Sequence, residues 1–504
     1  MVGGRTRHFP IGMVDIHPLC YKLILLPEFQ RLRDIRQLNN LHYIYPGATH
    51  DRFQHCIGVY HLAELFVERL QKTQPELNIT EAEKLCVCIA GLYHDIGHIT
   101  QGHLYPLYVR YCKSPVFVDH EVMSVYILKL ILKKYNLYDY FKKYGLGEKE
   151  IHLICEIIMG DKRNAPDDWK WVGAPGREFL LQIVANSKNG VDVDRFDYMI
   201  RDCMNLGLNC SYNYDRIIKG ARVIKNKEGA WEICFHDKVN IDVYEMFQCR
   251  MSLHRRAYNH RSNRIIDIMI IEALRSAEQN GFGIETKQGI VKLSEACRNL
   301  DAYIRATDYL VLELKNSVCD QYKEARHLIT KVEKKELYPF VGEVIINSKT
   351  FIDSEGMRIL MEKSNKERVK DQLIHEFESD AKKYGLDSPK DTIVIDVVKL
   401  SLGMGNRNPL RCVSFFSESE MDTIRHIPLS DMSNTLPDQC EDWLVRFYNR
   451  GNEKEFENLS KLFTLWREKH INESEICESA SPKRRRTYTF PPKRQFSSAD
   501  LESG

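Results

Sequence analysis

The stretch GLYHDIGH, residues 91–98, sets His94 beside Asp95 and places His98 four residues after His94, directly behind an apolar run. An imidazole next to a carboxylate can close a helix as a capped polar pair, or it can hold a metal against a substrate. His55 in QHCIGVYHL and Asp194 in VDVDRF supply a second imidazole and a second carboxylate. Two imidazoles with two carboxylates suit a divalent transition metal or manganese better than calcium, which prefers oxygen alone. Such a set leaves coordination positions open, and a water held there becomes a nucleophile. His98, His103 and His120, the last beside Glu121, add groups that exchange protons near neutral pH, as hydrolysis requires. At this level a satisfied polar core network built from the same residues stays an alternative.

The elements around these residues read as helices almost throughout to about Ser276. Cys56, Val59, Ala63, Phe66 and Leu70 recur at helical steps, which puts His55 in a first turn. Thr80 and Glu83 have capping-box spacing, and the helix they open runs through Leu85, Ile89 and Leu92 into His94 and Asp95. REFLLQIVANSKNG reads as a third helical run that breaks at Asn189-Gly190, with Asp192 and Asp194 in the turn before the next helix. The expected fold class is mainly α: a helical body over 1–335 with a smaller C-terminal α+β lobe over 336–471, where PFVGEVIINS, DTIVIDVVKL and RCVSFFSE read as strands. Residues 472–504, rich in Ser, Pro and charge, read as a disordered basic tail.

Composition narrows the classes. Lys plus Arg total 72 against 70 Asp plus Glu in 504 residues, so any anion site must be a local cluster. The N-terminus lacks a secretory apolar region, and no window reaches the roughly 18 apolar residues of a membrane span, so a soluble protein with no membrane partner is expected. Fifteen cysteines show no framework of spacings. They read as reduced thiols, those of LCVCIA as small buried hydrophobes rather than ligands.

Taken together, ATHDRFQH, HDIGH, DHE and NGVDVDRFDYMIRDC resemble the HD-domain phosphohydrolases. QRLRDIRQL and SLHRRAYNHR narrow the resemblance to the SAM and HD domain-containing deoxynucleoside triphosphate triphosphohydrolases, in a form lacking the SAM domain. The resemblance implies cleavage of a deoxynucleoside triphosphate at the α-phosphorus, releasing deoxynucleoside and inorganic triphosphate. His55, His94, Asp95 and Asp194 then match the metal ligands, for Zn, Fe or Mn, with Mg beside them. His103 matches the proton donor to the leaving 5′ oxygen, His98 and His120 contact the α-phosphate, and Glu121 orients His120. Pro106 stands where the family's usual aspartate would support His103.

Arg52, Arg195 and Arg250 can grip the triphosphate as guanidinium forks, with arginine at 195 in place of the usual lysine. Gln37 and Asp202 match contacts to the 3′ hydroxyl, Leu38 and Tyr258 pack near C2′, Tyr198 stacks under the sugar, and His254 completes the substrate set. The resemblance also implies a homotetramer bridged by activating GTP and dNTPs, with Arg5, Arg33, Arg222, Lys238 and Arg261 at the nucleotide sites. Leu25 replaces the aspartate that reads guanine, and leucine offers the guanine N1 and N2 donors no acceptor. SPKRRR with Lys493 and Arg494 resembles a nuclear import signal, and Ser481-Pro482 a kinase site. The expected setting is nucleus and cytoplasm, with control of dNTP pools, a role in innate antiviral defence and single-stranded nucleic acid as a further partner. The competing functions are an HD-type phosphodiesterase or exonuclease, and a non-catalytic nucleic-acid-binding paralogue.

Overall fold

The computed structural model describes residues 4–8, 12–115, 117–160, 166, 169–172, 174–346, 366–405, 407–428, 430 and 440–470. The chain divides into two compact units, Met1–Ile345 with Thr392–Asn452, and Ile346–Asp391 with Glu453–Gly504. The tail read as disordered, with its basic run and Ser481, lies outside the described residues. Among the described residues no helix is long and apolar enough to cross a membrane.

The first unit is mainly helical. Helix α1, Arg52–Thr73, is capped by Asp51, whose side chain accepts from the Gln54 N–H. Helix α2, Glu81–Tyr93, opens on the complete Thr80/Glu83 capping box. From Leu85 to Tyr93 every residue of α2 is buried, as expected of a helix that is apolar all round. Helix α3 spans His120–Lys134, α4 Val193–Leu206, α5 Asn240–Leu253 and α6 Arg261–Gln279.

Two glycines let the site helices approach one another. A Cβ on Gly91 of α2 would lie 3.2 Å from the Val59 carbonyl of α1, so the small residue sets that close packing. A Cβ on Gly58 of α1 would fall 1.8 Å from Asp197 Oδ1 on α4, a position no side chain tolerates. Both contacts lie within one or two turns of His55 and His94, so the backbone spacing is fixed where the ligands are.

The body is less uniformly helical than the periodicity suggests. Strands β3, Ala221–Lys225, and β4, Trp231–His236, form an antiparallel hairpin after the N-terminal pair β1, Gly4–His8, and β2, Gly12–Ile16. Val223, Ile224 and Ile233 are β-branched and buried there, and the short Asn226–Ala230 turn leaves no room for a helical turn. The REFLLQIV run is a 3-10 turn, Glu178–Leu180, and a four-residue helix, Leu181–Val184. Asp194 lies in the first turn of α4, not before it. Asp192 is that helix's N-cap, accepting from the Arg195 N–H at 3.0 Å.

The C-terminal runs read as strands are strands. β5, Phe340–Ile346, β6, Ile393–Ser401, and β9, Glu441–Asn449, form a sheet in the order β5-β9-β6, with β9 antiparallel to β6 from Glu441↔Ser401 to Asn449↔Ile393. β7, Phe415–Ser417, runs parallel to β4, and β8, Glu420–Arg425, closes that sheet's edge. In the second unit α7, Lys366–Lys383, meets α8, Glu453–His470, where Trp466 donates its indole N–H to Glu376 at 2.9 Å.

Candidate active site

His55 in the first turn of α1, His94 at the C-cap of α2, Asp95 just beyond it and Asp194 in the first turn of α4 converge on one point. His55 Nε2 lies 3.2 Å from His94 Nε2 and 3.0 Å from Asp194 Oδ1; His94 Nε2 lies 3.5 Å from the same oxygen and 3.6 Å from Asp95 Oδ1. The opposite nitrogens are committed elsewhere: His55 Nδ1 to Asp197 Oδ2 at 2.8 Å, and His94 Nδ1 to the Gly91 carbonyl at 2.8 Å. A carbonyl can only accept, so Nδ1 of His94 carries the proton and its Nε2 lone pair faces the cluster. The Asp197 carboxylate imposes the same tautomer on His55. Two lone pairs and two carboxylates turned toward one point fit a divalent cation, and these four side chains would hold it.

The carboxylates stabilise positive charge on the two rings, the charge that a bound cation would replace. Burial opposes charge on His55, yet Asp194 and Asp197 outweigh it and raise the imidazole to about 10. Burial likewise opposes charge on His94, and Asp95 with Asp194 raises it. Burial would lift Asp95, but His98, His94 and Arg52 hold it well below the usual carboxylate range. Asp194 is held down against burial by His55 and His94. The cluster draws positive charge to its centre.

A wall of histidines stands on the other side of Asp95. His98 Nε2 lies 3.3 Å and His120 Nε2 3.8 Å from Asp95 Oδ1. The His98 and His120 rings stack at 4.0 Å, and His103 meets them edge-on at 4.7 and 5.7 Å. Glu121 Oε2 sits 3.2 Å from His120 Nδ1. Burial, with Arg52 and His120, pushes His98 well below its ordinary value. Pro106 is in the first turn of the Tyr105–Tyr111 helix, where proline suits the backbone and offers His103 no acceptor.

The residues expected to meet the triphosphate and the sugar have the following partners. Arg52 is fully buried with Nη1 2.5 Å from Asp95 Oδ2, and its Nε and Nη2 have no hydrogen-bond partner among the described residues. Arg195 Nη1 and Arg250 Nε are buried and unpartnered too, while Arg250 Nη1 donates to the Ser401 carbonyl. Asp202 accepts from Tyr258 Oη at 2.5 Å and pairs with His50 Nε2 at 2.7 Å. Gln37 is buried with Oε1 unpartnered, Leu38 and Tyr198 are half-buried, and the His254 ring meets Tyr258 at 5.0 Å. Burial, then Arg250 and Arg195, push His254 well below its ordinary value.

The proposed regulatory cations are held by separate local partners. Arg33 lies over the Phe53 ring at 3.4 Å and lines a cavity of about 420 Å³ with Arg36, His42 and Lys315. Arg222 pairs with Asp422, Lys238 with Glu418, and Arg261 lies over Phe340. Arg5 sits on β1 opposite Asp15, its side chain outside the described residues. Leu25 is the exposed C-cap of the Pro18–Ile24 helix.

Sequence reading missed three residues that hold the site. Asp197 fixes His55, Arg201 brackets Asp197 through Nε at 2.9 Å and Nη2 at 2.7 Å, and Arg31 donates to the Ile96 and His98 carbonyls at 2.8 and 2.7 Å. Asp197 falls three residues after Asp194 on the same helix face, which was the available signal.

This arrangement defines an HD-domain protein, and the HD domain profile matches residues 52–201. Similar proteins include the deoxynucleoside triphosphate triphosphohydrolases SAMHD1 of Gallus gallus, 35% identical over 446 residues covering 87% of this chain and 70% of the relative, and of Homo sapiens, 34% identical over 465 residues covering 90% and 72%. The SAMHD1 homolog of Dictyostelium discoideum is 29% identical over 443 residues, covering 88% and 76%. The chain belongs to the SAMHD1 family of deoxynucleoside triphosphate triphosphohydrolases.

Proposed function

We propose that this chain hydrolyses deoxynucleoside triphosphates to deoxynucleoside and inorganic triphosphate, with a divalent metal, and so limits dNTP pools. The observation that carries the reading is the set of buried guanidinium atoms, unpartnered among the described residues, of Arg52, which holds Asp95, and of Arg195 and Arg250, which act on Tyr198 together with Asp194 and on His254 together with His103. Buried donors left without acceptors cost about 1–3 kcal/mol each, and a polyanion repays that cost. A phosphodiester carries too little charge to engage all three.

When bound by His55, His94, Asp95 and Asp194, the metal would supply Lewis-acid polarisation and an activated water. The chain's own groups do the rest. Arg195 and Arg250 hold the triphosphate tail. Arg52, tied to Asp95, places a fixed positive charge beside the α-phosphate as it gains negative charge. His98 and His120 border that phosphate, with Glu121 fixing the His120 ring. His103, edge-on to both rings, is pushed down to about 3 by burial, Arg52 and His120, and it delivers a proton to the departing 5′ oxygen once the bound phosphates restore its charge.

Sugar choice follows from the other wall. The unpartnered Gln37 Oε1 accepts from a 3′ hydroxyl, aided by Asp202. Leu38 and Tyr258 close the space at C2′, and Tyr258 spends its hydroxyl on Asp202, leaving a ribose hydroxyl without a partner. The family resemblance further supports a nucleotide-bridged homotetramer and residence in nucleus and cytoplasm. Leu25 departs from the family pattern and offers guanine no acceptor, which lowers dependence on GTP.

The test is metal replacement. Stripped protein should lose deoxynucleoside release and regain it when Mn²⁺ or Fe²⁺ is returned, while Asp95→Ala neither binds metal nor turns over yet keeps its helical circular dichroism. Full turnover by metal-free Asp95→Ala would overturn the proposal.

A further inference from the structure

The connection between α4 and α5 gathers three sulfurs that the catalytic reading does not use. Cys203 lies near the end of α4, Cys249 lies on α5, and Cys210 sits on the segment following the Gly207 C-cap of α4. The three sulfurs lie within 4.8 Å of one another, and Cys203 Sγ is 3.7 Å from Cys249 Sγ. Three thiolates around a tetrahedral zinc at 2.3 Å lie about 3.8 Å apart, so the trio has nearly the span that a metal requires. Cys203 and Cys249 are buried, whereas Cys210 is partly exposed and gives an entry path.

The trio shares its charge unevenly. The Cys203 and Cys249 thiols hold Cys210 below the ordinary thiol range, while pairing within the trio and burial push Cys203 and Cys249 up, so a metal must displace their protons.

We propose that Cys203, Cys210 and Cys249 form a second metal site, which takes a soft d¹⁰ cation, Zn²⁺ or Cu⁺, through three thiolates. On binding, Cys203 and Cys249 release their protons to solvent, Cys210 enters as the thiolate, and each sulfur donates a lone pair, so three metal–sulfur bonds form and no oxidant is needed. Sequence spacing gave no sign of this site, because its ligands come from two helices and a connecting segment. A disulfide would engage two of the three sulfurs and leave the third idle. The bound ion would clamp α4, which carries Asp194 and Asp202, to α5, which carries Arg250. The metal assignment itself stands independently of the catalytic reading.

The full chain, stripped of metal under a non-thiol reductant without air, is titrated with Co²⁺ as a spectroscopic probe. The expected result is a sulfur-to-cobalt charge-transfer band that saturates by two equivalents in the wild type, where the histidine and aspartate cluster competes for the ion, saturates by one equivalent in Asp95→Ala, and is lost in Cys210→Ser and Cys210→Ala. The nitrogen and oxygen donors of the histidine and aspartate cluster give no such band. Competition with Zn²⁺ and with Cu⁺ then identifies the preferred ion, and either ion should protect Cys210 from alkylation in the wild-type chain, a readout that needs no variant to fold. Three results would each overturn the site: no charge-transfer band, a band that survives loss of Cys210, or a Cys203–Cys249 disulfide with two hydrogens lost in place of bound metal.

Discussion

His55 and Asp197 meet at 2.8 Å, Nδ1 to Oδ2, and Arg201 closes on both oxygens of the same carboxylate. This pairing decides which nitrogen of His55 faces the other ligands. It places a buried guanidinium, a carboxylate and an imidazole in series behind the cluster. Asp197→Asn keeps the shape but loses the charge that fixes the tautomer, so metal affinity should fall about 10–100-fold. Chelator competition measures it, and an unchanged affinity would show that something other than Asp197 sets the ring.

Gly58 makes that pairing possible. Gly58→Ala would place a methyl 1.8 Å from Asp197 Oδ1 and 2.6 Å from Arg201 Nη2, both in packed surroundings. Loss of about 1–3 kcal/mol of stability is expected, together with weaker metal binding, since α4 must move away from α1. Denaturant midpoints compared with wild type report the first effect and metal titration the second.

The parts of the fold legible in the sequence were those with local causes. The α1 periodicity, the Thr80/Glu83 capping box and the β-branched runs at 340–346 and 393–401 all specify their elements within a few residues. The β3–β4 hairpin was hidden because its short strands sit between long helices and are completed by β7, far along the chain. The four converging side chains were legible because each falls at a helix end, where side chains can project past the backbone. Asp197, Arg201 and Arg31 were not, because a buried salt bridge and a carbonyl clamp depend on how helices cross, which no spacing along one helix states.

Leu38→Ala should admit ribonucleotides. Removing the half-buried side chain near C2′ opens space for a hydroxyl, and a change of a few methylenes in an apolar pocket is worth roughly 10–200-fold in discrimination. The ratio of GTP to dGTP turnover, measured on the same preparation, is expected to rise at least to the lower part of that range. An unchanged ratio would place sugar selection elsewhere.

Asp267 on α6 is buried, accepts from Asn40 and Asn263 at 3.0 and 3.1 Å, and is pushed up by burial to about 7. Its value in the unfolded chain is about 3.9. Between these two values the folded protein binds the extra proton, so stability falls as pH rises from about 4 to 7 and is then constant for this group. Asp267→Asn removes that slope. Chemical denaturation at pH 5 and pH 8 should show the variant gaining on wild type at the higher pH; equal differences at both would show that Asp267 is ionised throughout.

The proposed reaction is cleavage between the α-phosphorus and the 5′ oxygen of a deoxynucleotide. Metal-replete protein turned over with dGTP in ¹⁸O-labelled water, with products separated and weighed by mass spectrometry, tests it. Unlabelled deoxyguanosine and inorganic triphosphate carrying one ¹⁸O are expected in equal amounts. Labelled dGMP with pyrophosphate, or label in the nucleoside, would contradict it.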